Sequence, residues 1–331
     1  MFRKISNKTL LIIFAILVII AIAVYLYDSH KGERTFKSEL FRVDSASVTA
    51  ITIYKKGAGK DFIKLVKAGN AWDIQVGNKH YPADTSMLKN MLHALTKITP
   101  ERVAGSDKES WKEFEMTDSL STRVVVEQGS NVVADFRVGR LSFSQGRNRQ
   151  SNNGYGMEVK SHIRVPGDDD VYVVDGFLSS MFNDNPARYR YRQVVRFDKK
   201  DVTKMSFVYP GDSSFNLVRD GNKWLLNGQP PDSALTERWL TTVSTMSNAE
   251  FADNDNLPFN MPYSLRIEGN NMRAIDVKGA MDPAAKKYYV TSSENTSAVF
   301  GGSSSYLFNQ VFPGKQKFFE APKADKKKEK K

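Results

Sequence analysis

The sequence predicts an α+β protein: a single transmembrane helix at the amino terminus, then two tandem copies of a unit made of an antiparallel sheet and one main helix. Three observations predict it. Leu10 to Leu26 is an uninterrupted apolar run. Residues 42 to 53 return at 196 to 207, so that Arg42, Val43, Asp44, Val48, Thr49, Ile51 and Ile53 fall on Arg196, Phe197, Asp198, Val202, Thr203, Met205 and Phe207. In each copy, alternating apolar stretches give way to one stripe at helical spacing and then resume.

The apolar run would rise about 26 Å as a helix, against roughly 30 Å of hydrocarbon in a bilayer. Thirteen of its residues are Leu, Ile, Val or Phe, which favour insertion. Arg3, Lys4 and Lys8 lie ahead of it with no acid among them, whereas Asp28 and Glu33 dilute Lys31 and Arg34 behind it. That asymmetry predicts an amino terminus inside. The expected layout is a basic cytoplasmic segment over 1–9, an uncleaved anchor over 10–27 and a linker over 28–40. The expected location is the inner (cytoplasmic) membrane, single-pass, with the carboxy-terminal domain periplasmic or otherwise extracytoplasmic.

Within the first copy, Ser47 to Tyr54 and Asp61 to Val66 read as strands around a turn at Lys56-Gly57-Ala58-Gly59-Lys60, and Ala71 to Val76 as a third. Asp84, an N-cap type, precedes Met87, Leu88, Met91, Leu92, Leu95 and Ile98 at helical spacing. In the second copy Asp232 precedes Leu235, Trp239, Leu240, Val243 and Met246, each 148 residues beyond Met87, Met91, Leu92, Leu95 and Ile98. Alternation returns at Arg123 to Glu127 and Val132 to Val138, and again at Ser264 to Glu268 and Ala274 to Val277. The expected units are 41–187 and, with a linker strand, 188–314. A basic disordered tail is expected over 315–331.

At 331 residues with 40% apolar composition, the chain can bury two cores. Its net charge of +11 sits mostly at its ends: Arg3, Lys4 and Lys8 supply three, and 315–331 holds eight lysines against three acids. What remains is ordinary, so no nucleic-acid partner is expected. Cysteine is absent, which removes disulfides, thiolate zinc sites and cysteine nucleophiles.

Two segments stand out because the second copy does not match them. Ser142 to Tyr155 is long and polar and carries Arg147 and Arg149, where the second copy has only Gly279 to Lys287. It is a candidate contact surface, or a tolerated hairpin insertion. Arg188-Tyr189-Arg190-Tyr191-Arg192 alternates, which predicts a strand with Arg188, Arg190 and Arg192 on one face and the tyrosines on the other. Those five arginines are the candidate interaction residues; a solvated edge strand is the plainer reading of the second segment.

Chemical motifs are weaker. Gly211-Asp212-Ser213-Ser214 resembles the nucleophile block of one lipase family, but there the histidine follows the serine, and the last histidine here is His162. The matching stretch of the first copy, Gly57-Ala58-Gly59, indicates a turn. Asp168, Asp169 and Asp170 could offer oxygens to a cation, yet they are not succeeded by calcium-loop spacing, and a polar turn after Pro166-Gly167 explains them. His30, His80, His93 and His162 are scattered. No catalytic residue, cofactor or metal site is expected.

The run Ile163-Arg164-Val165-Pro166-Gly167-Asp168-Asp169-Asp170-Val171-Tyr172-Val173-Val174, the junction Arg190 to Asp198 and the subsequent Asp201-Val202-Thr203 resemble the bacterial envelope family known as domain of unknown function 4340. The Trp72 strand, the helix opened by Asp84 and the apolar run at the front fit as well. The resemblance implies a single-pass or signal-bearing envelope protein, often encoded beside transporter components of the ATP-binding-cassette type or gliding-motility-like subunits, and no enzymatic activity. The expected role is a non-enzymatic, membrane-anchored accessory or scaffold of a transport or motility assembly, with integral membrane proteins as partners. The alternative is a binding module for an envelope polymer or small ligand, using the cleft between the two units. Oligomeric state is left open.

Overall fold

The structure is a computed structural model that describes residues 14, 16–22, 39–57, 61–146, 156–253, 255, 257 and 260–319. Along them run β1 (Ala50–Tyr54), β2 (Phe62–Ala68), β3 (Ala71–Val76), β4 (Lys79–Pro82), α1 (Thr85–Leu95), β5 (Pro100–Gly105), α2 (Ser110–Glu113), β6 (Thr122–Gln128), β7 (Asn131–Gly146), β8 (Gly156–Arg164), β9 (Val171–Asp175) and α3 (Leu178–Met181). Next come β10 (Val202–Val208), β11 (Phe215–Asp220), β12 (Lys223–Leu226), α4 (Ser233–Val243), β13 (Tyr263–Gly269), β14 (Ile275–Asp282), β15 (Lys287–Ser292), β16 (Asn295–Gly302) and α5 (Tyr306–Val311).

The α+β expectation is corrected: the described residues are mostly antiparallel sheet, sixteen strands in sheets of nine and seven. The two helices with long apolar stripes, α1 and α4, each stop after 11 residues, and α2, α3 and α5 have four to six. Residues rich in Val, Ile, Tyr and Phe take up the remainder as strands. Strands β4 and β5, unmarked by any clear alternation, flank α1, and the polar stretch after Val138 begins inside the 16-residue strand β7.

By their contacts the residues form two compact units, and neither is one stretch of chain. The first comprises 1–47, 56–59 and 93–182; the second comprises 48–55, 60–92 and 183–331. In the first unit the strands run in the order β6-β7-β8-β9-β5. The second unit holds β4-β3-β2-β1 and the whole seven-stranded sheet, β12-β11-β10-β13-β14-β15-β16. The succession β3-β2-β1 thus recurs as β12-β11-β10, and β6 through β9 recurs as β13 through β16. Helices α1 and α4 match in length and lie 148 residues apart at both ends.

Local chemistry explains the helix starts. Asp84 Oδ1 accepts from the backbone N–H of Ser86 at 2.9 Å and Met87 at 3.0 Å, and Asp232 Oδ1 accepts from Leu235 N–H at 2.9 Å. Each carboxylate satisfies amides that the first turn leaves without partners. The odd step from Val202 to Met205, both buried, is accommodated by a register shift between Val202 and Lys204 in the β10–β13 pairing. One extra residue there restores the inward phase.

The core of the second unit centres on stacked rings. Phe207 lies 4.3 Å from Phe215 at an interplanar angle of 14°, and Trp239 of α4 is 5.6 Å from Phe207. Phe318 closes the cluster, 5.4 Å from Trp239 and fully buried. The expected tail is therefore corrected at its start: Lys315–Phe318 is a 3-10 helix, and the Phe318 carbonyl accepts from Asp232 N–H at 2.9 Å. The lysine count around it hides a core residue. Residues 320–331 lie outside the described residues.

The anchor and the inner-membrane location are corrected too. Among the described residues no helix is long and apolar enough to cross a membrane. Of the run at 10–27, Phe14 and Ile16–Ile22 are described, and they are helical. Residues 1–13, 15 and 23–38 lie outside the described residues, and with them the expected cytoplasmic segment and most of the linker.

The packing of Phe318 predicts that Phe318→Ala destabilises the protein by about 3–5 kcal/mol. Urea denaturation monitored by tryptophan fluorescence measures it; a loss below about 1 kcal/mol is the surface-residue outcome and would contradict this packing.

Candidate functional site

The segment from Asn183 to Gln193 is built from the residues around a proline. The Asn185 side chain accepts from Ala187 N–H at 3.0 Å, and Pro186 opens a 3-10 turn through Arg188. The expected strand with arginines on one face is corrected here: after the turn only isolated bridges form, Ala83 with Arg190 and Gln193 with Ser247. Main-chain bonds hold the segment on two sides. Tyr191 N–H donates to Pro82 O at 2.8 Å and Asp84 N–H to Tyr189 O at 2.7 Å, while Asn248 N–H donates to Arg192 O at 2.9 Å. The Asn295 side-chain amide adds a bond to Tyr191 O at 2.7 Å.

The three arginines consequently diverge. Arg188 is exposed, Arg192 is half-buried with Nη2 3.4 Å from Asp84 Oδ2, and Arg190 is buried. Tyr189 is buried as well, its hydroxyl donating to Asn183 O at 2.7 Å, and burial pushes its phenol up. Arg147 and Arg149 lie outside the described residues.

Arg190 is gripped on both faces and one edge. Its guanidinium carbon lies 3.7 Å from the centre of the Tyr81 ring and 3.6 Å from that of Phe251. Nη1 donates to Asp253 Oδ2, and Asp253 Oδ1 accepts from Val299 N–H at 2.8 Å. The planar cation offers its π faces to the rings and its donors to the carboxylate, a geometry that lysine cannot reproduce. Its buried Nε has no hydrogen-bond partner among the described residues.

This arrangement lines a cavity of about 510 Å³ within the second unit, walled by Val76, Asn78, Lys79, Tyr81, Pro186, Ala187, Arg190, Phe251 and Asp253. Lys79 is exposed at it, and the Arg190 charge is matched by Asp253. The cavity can accept a small group with an apolar face. Among the described residues its lining holds no serine, threonine, cysteine or histidine to serve as nucleophile or imidazole base. A second cavity of about 400 Å³ lies beside the start of α1, lined in part by Asp84, Arg192 and Arg196.

The other chemically capable residues hold the fold. His162 stacks on Phe114 with centroids 4.6 Å apart, and its Nδ1 is 2.8 Å from Arg140 O. Desolvation by burial lowers its pKa, opposed by that bond. Arg164 is buried with its guanidinium carbon 3.7 Å from the Trp111 ring centre, and Trp111 Nε1 donates to Asp169 O at 2.9 Å. Asp168 spends one oxygen on Asp170 N–H and the other on the Tyr172 hydroxyl, at 3.1 and 2.7 Å. Ser213 Oγ donates to Pro210 O at 3.0 Å in a turn whose Gly211 has φ +68°. Among the described residues no group of three or more His, Cys, Asp or Glu is placed to hold a metal ion.

The residues that sequence reasoning missed are Tyr81, Phe251 and Asp253. The signal available was the Arg190 side of the contact, since a buried arginine demands an acid and favours rings. Nothing local to Asp253 identifies it as that acid.

Fold and site together define an all-antiparallel protein with one duplicated strand succession and buried, ring-stacked arginines. The family model described as "Domain of unknown function (DUF4340)" matches residues 72–258, more than half of the chain, and includes Arg164 and Arg190. The chain belongs to this family. No curated protein matches it, and no solved structure does.

Asp253→Ala, which leaves the Arg190 cation buried and unpaired, is expected to cost about 3–5 kcal/mol in urea denaturation. Arg190→Met combined with Asp253→Asn, which keeps the acceptor for Val299, costs clearly less; equal costs would show that the pair is not the constraint. For His162 the folded pKa lies below the ordinary 6.5. The unfolded chain therefore takes up the proton first, so stability present above about pH 6.5 is lost as pH falls through the folded value. His162→Phe retains a ring for the stack, and its stability should fall less steeply than the parent's below about pH 6.5. Parallel pH profiles would rule out this contribution.

Proposed function

We propose that this protein is a non-enzymatic binding protein that serves as an accessory or scaffold component of a transport or motility assembly, with other proteins as its partners. The observation that supports the binding role is how the chain uses its chemically capable side chains. His162, Ser213 and Asp168 each bond to main chain or to a neighbouring side chain within the fold, and Arg164 and Arg190 are buried against rings. The assembly it serves is inferred from the resemblance of its motifs. Chemical crosslinking in intact cells should recover subunits of a transport or motility assembly; recovery of this chain alone would sink the reading.

The cavity at Arg190 favours a second reading, the capture of a small ligand or polymer segment. Val76, Tyr81 and Phe251 supply its apolar wall. Under that reading, native mass spectrometry of the purified protein shows a small-molecule adduct that Val76→Trp, which fills the cavity, removes, whereas an adduct-free spectrum speaks for the first.

A further inference from the structure

The guanidinium of Arg190 is committed unevenly. The Tyr81 and Phe251 rings cover its two faces, at 3.7 and 3.6 Å from the guanidinium carbon. Nη1 donates to Asp253 Oδ2, and this is the one hydrogen bond that the guanidinium makes among the described residues. Nε is buried without a partner among them. A planar guanidinium holds its N–H groups in a fixed fork, so the edge formed by Nε and Nη2 is left with donors and no acceptor.

The carboxylate beside it has the opposite balance. Asp253 Oδ2 takes the Arg190 bond and Oδ1 takes Val299 N–H at 2.8 Å, on a side chain only 14% exposed. The pair is neutral as a whole, with spare donors while both of its carboxylate oxygens are engaged. A buried donor left unmet is unfavourable, and an acceptor that arrives relieves it.

The space next to this pair is the cavity of about 510 Å³, which lies within the roughly 300–1,000 Å³ of small-molecule pockets. Strands β3 and β4 set one wall. Val76 pairs directly with Lys79, and Tyr81 lies two residues further along β4, so the three share a face. Pro186 and Ala187 of the 3-10 turn, both half-buried, form another wall. The walls are thus largely apolar, and the buried polar group among them is the Arg190–Asp253 pair.

We propose that this cavity binds a neutral small molecule with an apolar body and a carbonyl oxygen, and that the carbonyl accepts from the Nε–Nη2 edge of Arg190. The arrangement separates three kinds of ligand. A hydrocarbon fills the walls but leaves the buried donors unmet. An anion adds a charge beside a pair that is already balanced, and Lys79 is exposed to water rather than buried to meet it. A carbonyl brings the missing acceptor and no net charge. Asn78 and the Tyr81 hydroxyl each donate or accept, so they do not alter that order.

The proposal rests on the second reading above, capture of a small ligand, and the test separates the two. N-methylbenzamide, benzoate and ethylbenzene share a ring and differ in the group it carries, and ligand-observed NMR titration against the purified full chain measures each. The expected result is that N-methylbenzamide binds about tenfold more tightly than either of the others, as one hydrogen bond to a charged donor implies. Val76→Trp, shown folded by its thermal melt, removes that binding, and Arg190→Met with Asp253→Asn brings it level with ethylbenzene. The three probes on the parent chain decide the matter without any variant. Equal binding of all three, or tighter binding of benzoate, overturns the carbonyl assignment and leaves the small-ligand reading standing. Binding of N-methylbenzamide that survives Val76→Trp in a folded chain lies elsewhere and overturns the assignment as well. No binding of any probe overturns the assignment and the reading together.

Discussion

The second unit depends on one buried cation. Arg190 cannot be left in low dielectric without an acid, and the acid it uses, Asp253, is itself tied to the main chain at Val299. Rings on both faces exclude water from the guanidinium, which strengthens the pair and fixes its orientation; desolvated contacts of this type are worth about 2 kcal/mol or more. A buried ion pair adds little net stability over an apolar substitute, but it tolerates few alternative arrangements. Here it determines where the chain runs after Asn183. Tyr191 and Arg192 must take the course that their main-chain bonds to Pro82 and Asn248 set, and the cavity beside Lys79 exists because that course leaves space next to the stacked rings.

What could be read in the sequence was whatever is local. The caps at Asp84 and Asp232 are properties of a carboxylate and the amides two or three residues on, so residue type and spacing reveal them. The return of Val48, Ile51 and Ile53 as Val202, Met205 and Phe207 is visible as a string, and even its odd step survives as a bulge. The alternation of Arg188 to Arg192 misled for the same reason. Two-residue periodicity reports a strand only when ladder partners are available, and here Pro186 sets a 3-10 turn and the neighbours offer isolated bridges. Phe318 was hidden in a lysine-rich stretch because charge density is a regional average, whereas burial belongs to a single side chain. The contacts of Arg190 with Tyr81 and Asp253 span more than sixty residues of chain in either case, and no local pattern encodes them.

The two units use a related device differently. Arg164 in the first and Arg190 in the second are both buried and ring-stacked, but Arg164 rests on Trp111 and reaches the Met116 carbonyl at 3.5 Å, while Arg190 has a carboxylate. Both lie inside the region that the family shares. Their positions suit a role in shaping the scaffold, which leaves surface such as the long β7–β8 hairpin free to differ from β14–β15 without disturbing the shared succession of strands.

In the β7–β8 pairing the register shifts between Val138 and Leu141, and this bulge at Gly139 and Arg140 makes the outer part of the hairpin a lever. Phe143 to Gly146, beyond the β6 and β9 pairings, reaches about 13 Å at roughly 3.3 Å per residue. A rotation of about 5° at the root therefore displaces the end by about 1 Å, comparable to the change in side-chain position that separates a matched contact from a missed one. The pivot is small, namely one glycine, one carbonyl and one imidazole. Substitutions there would act at a distance, moving a surface they do not touch.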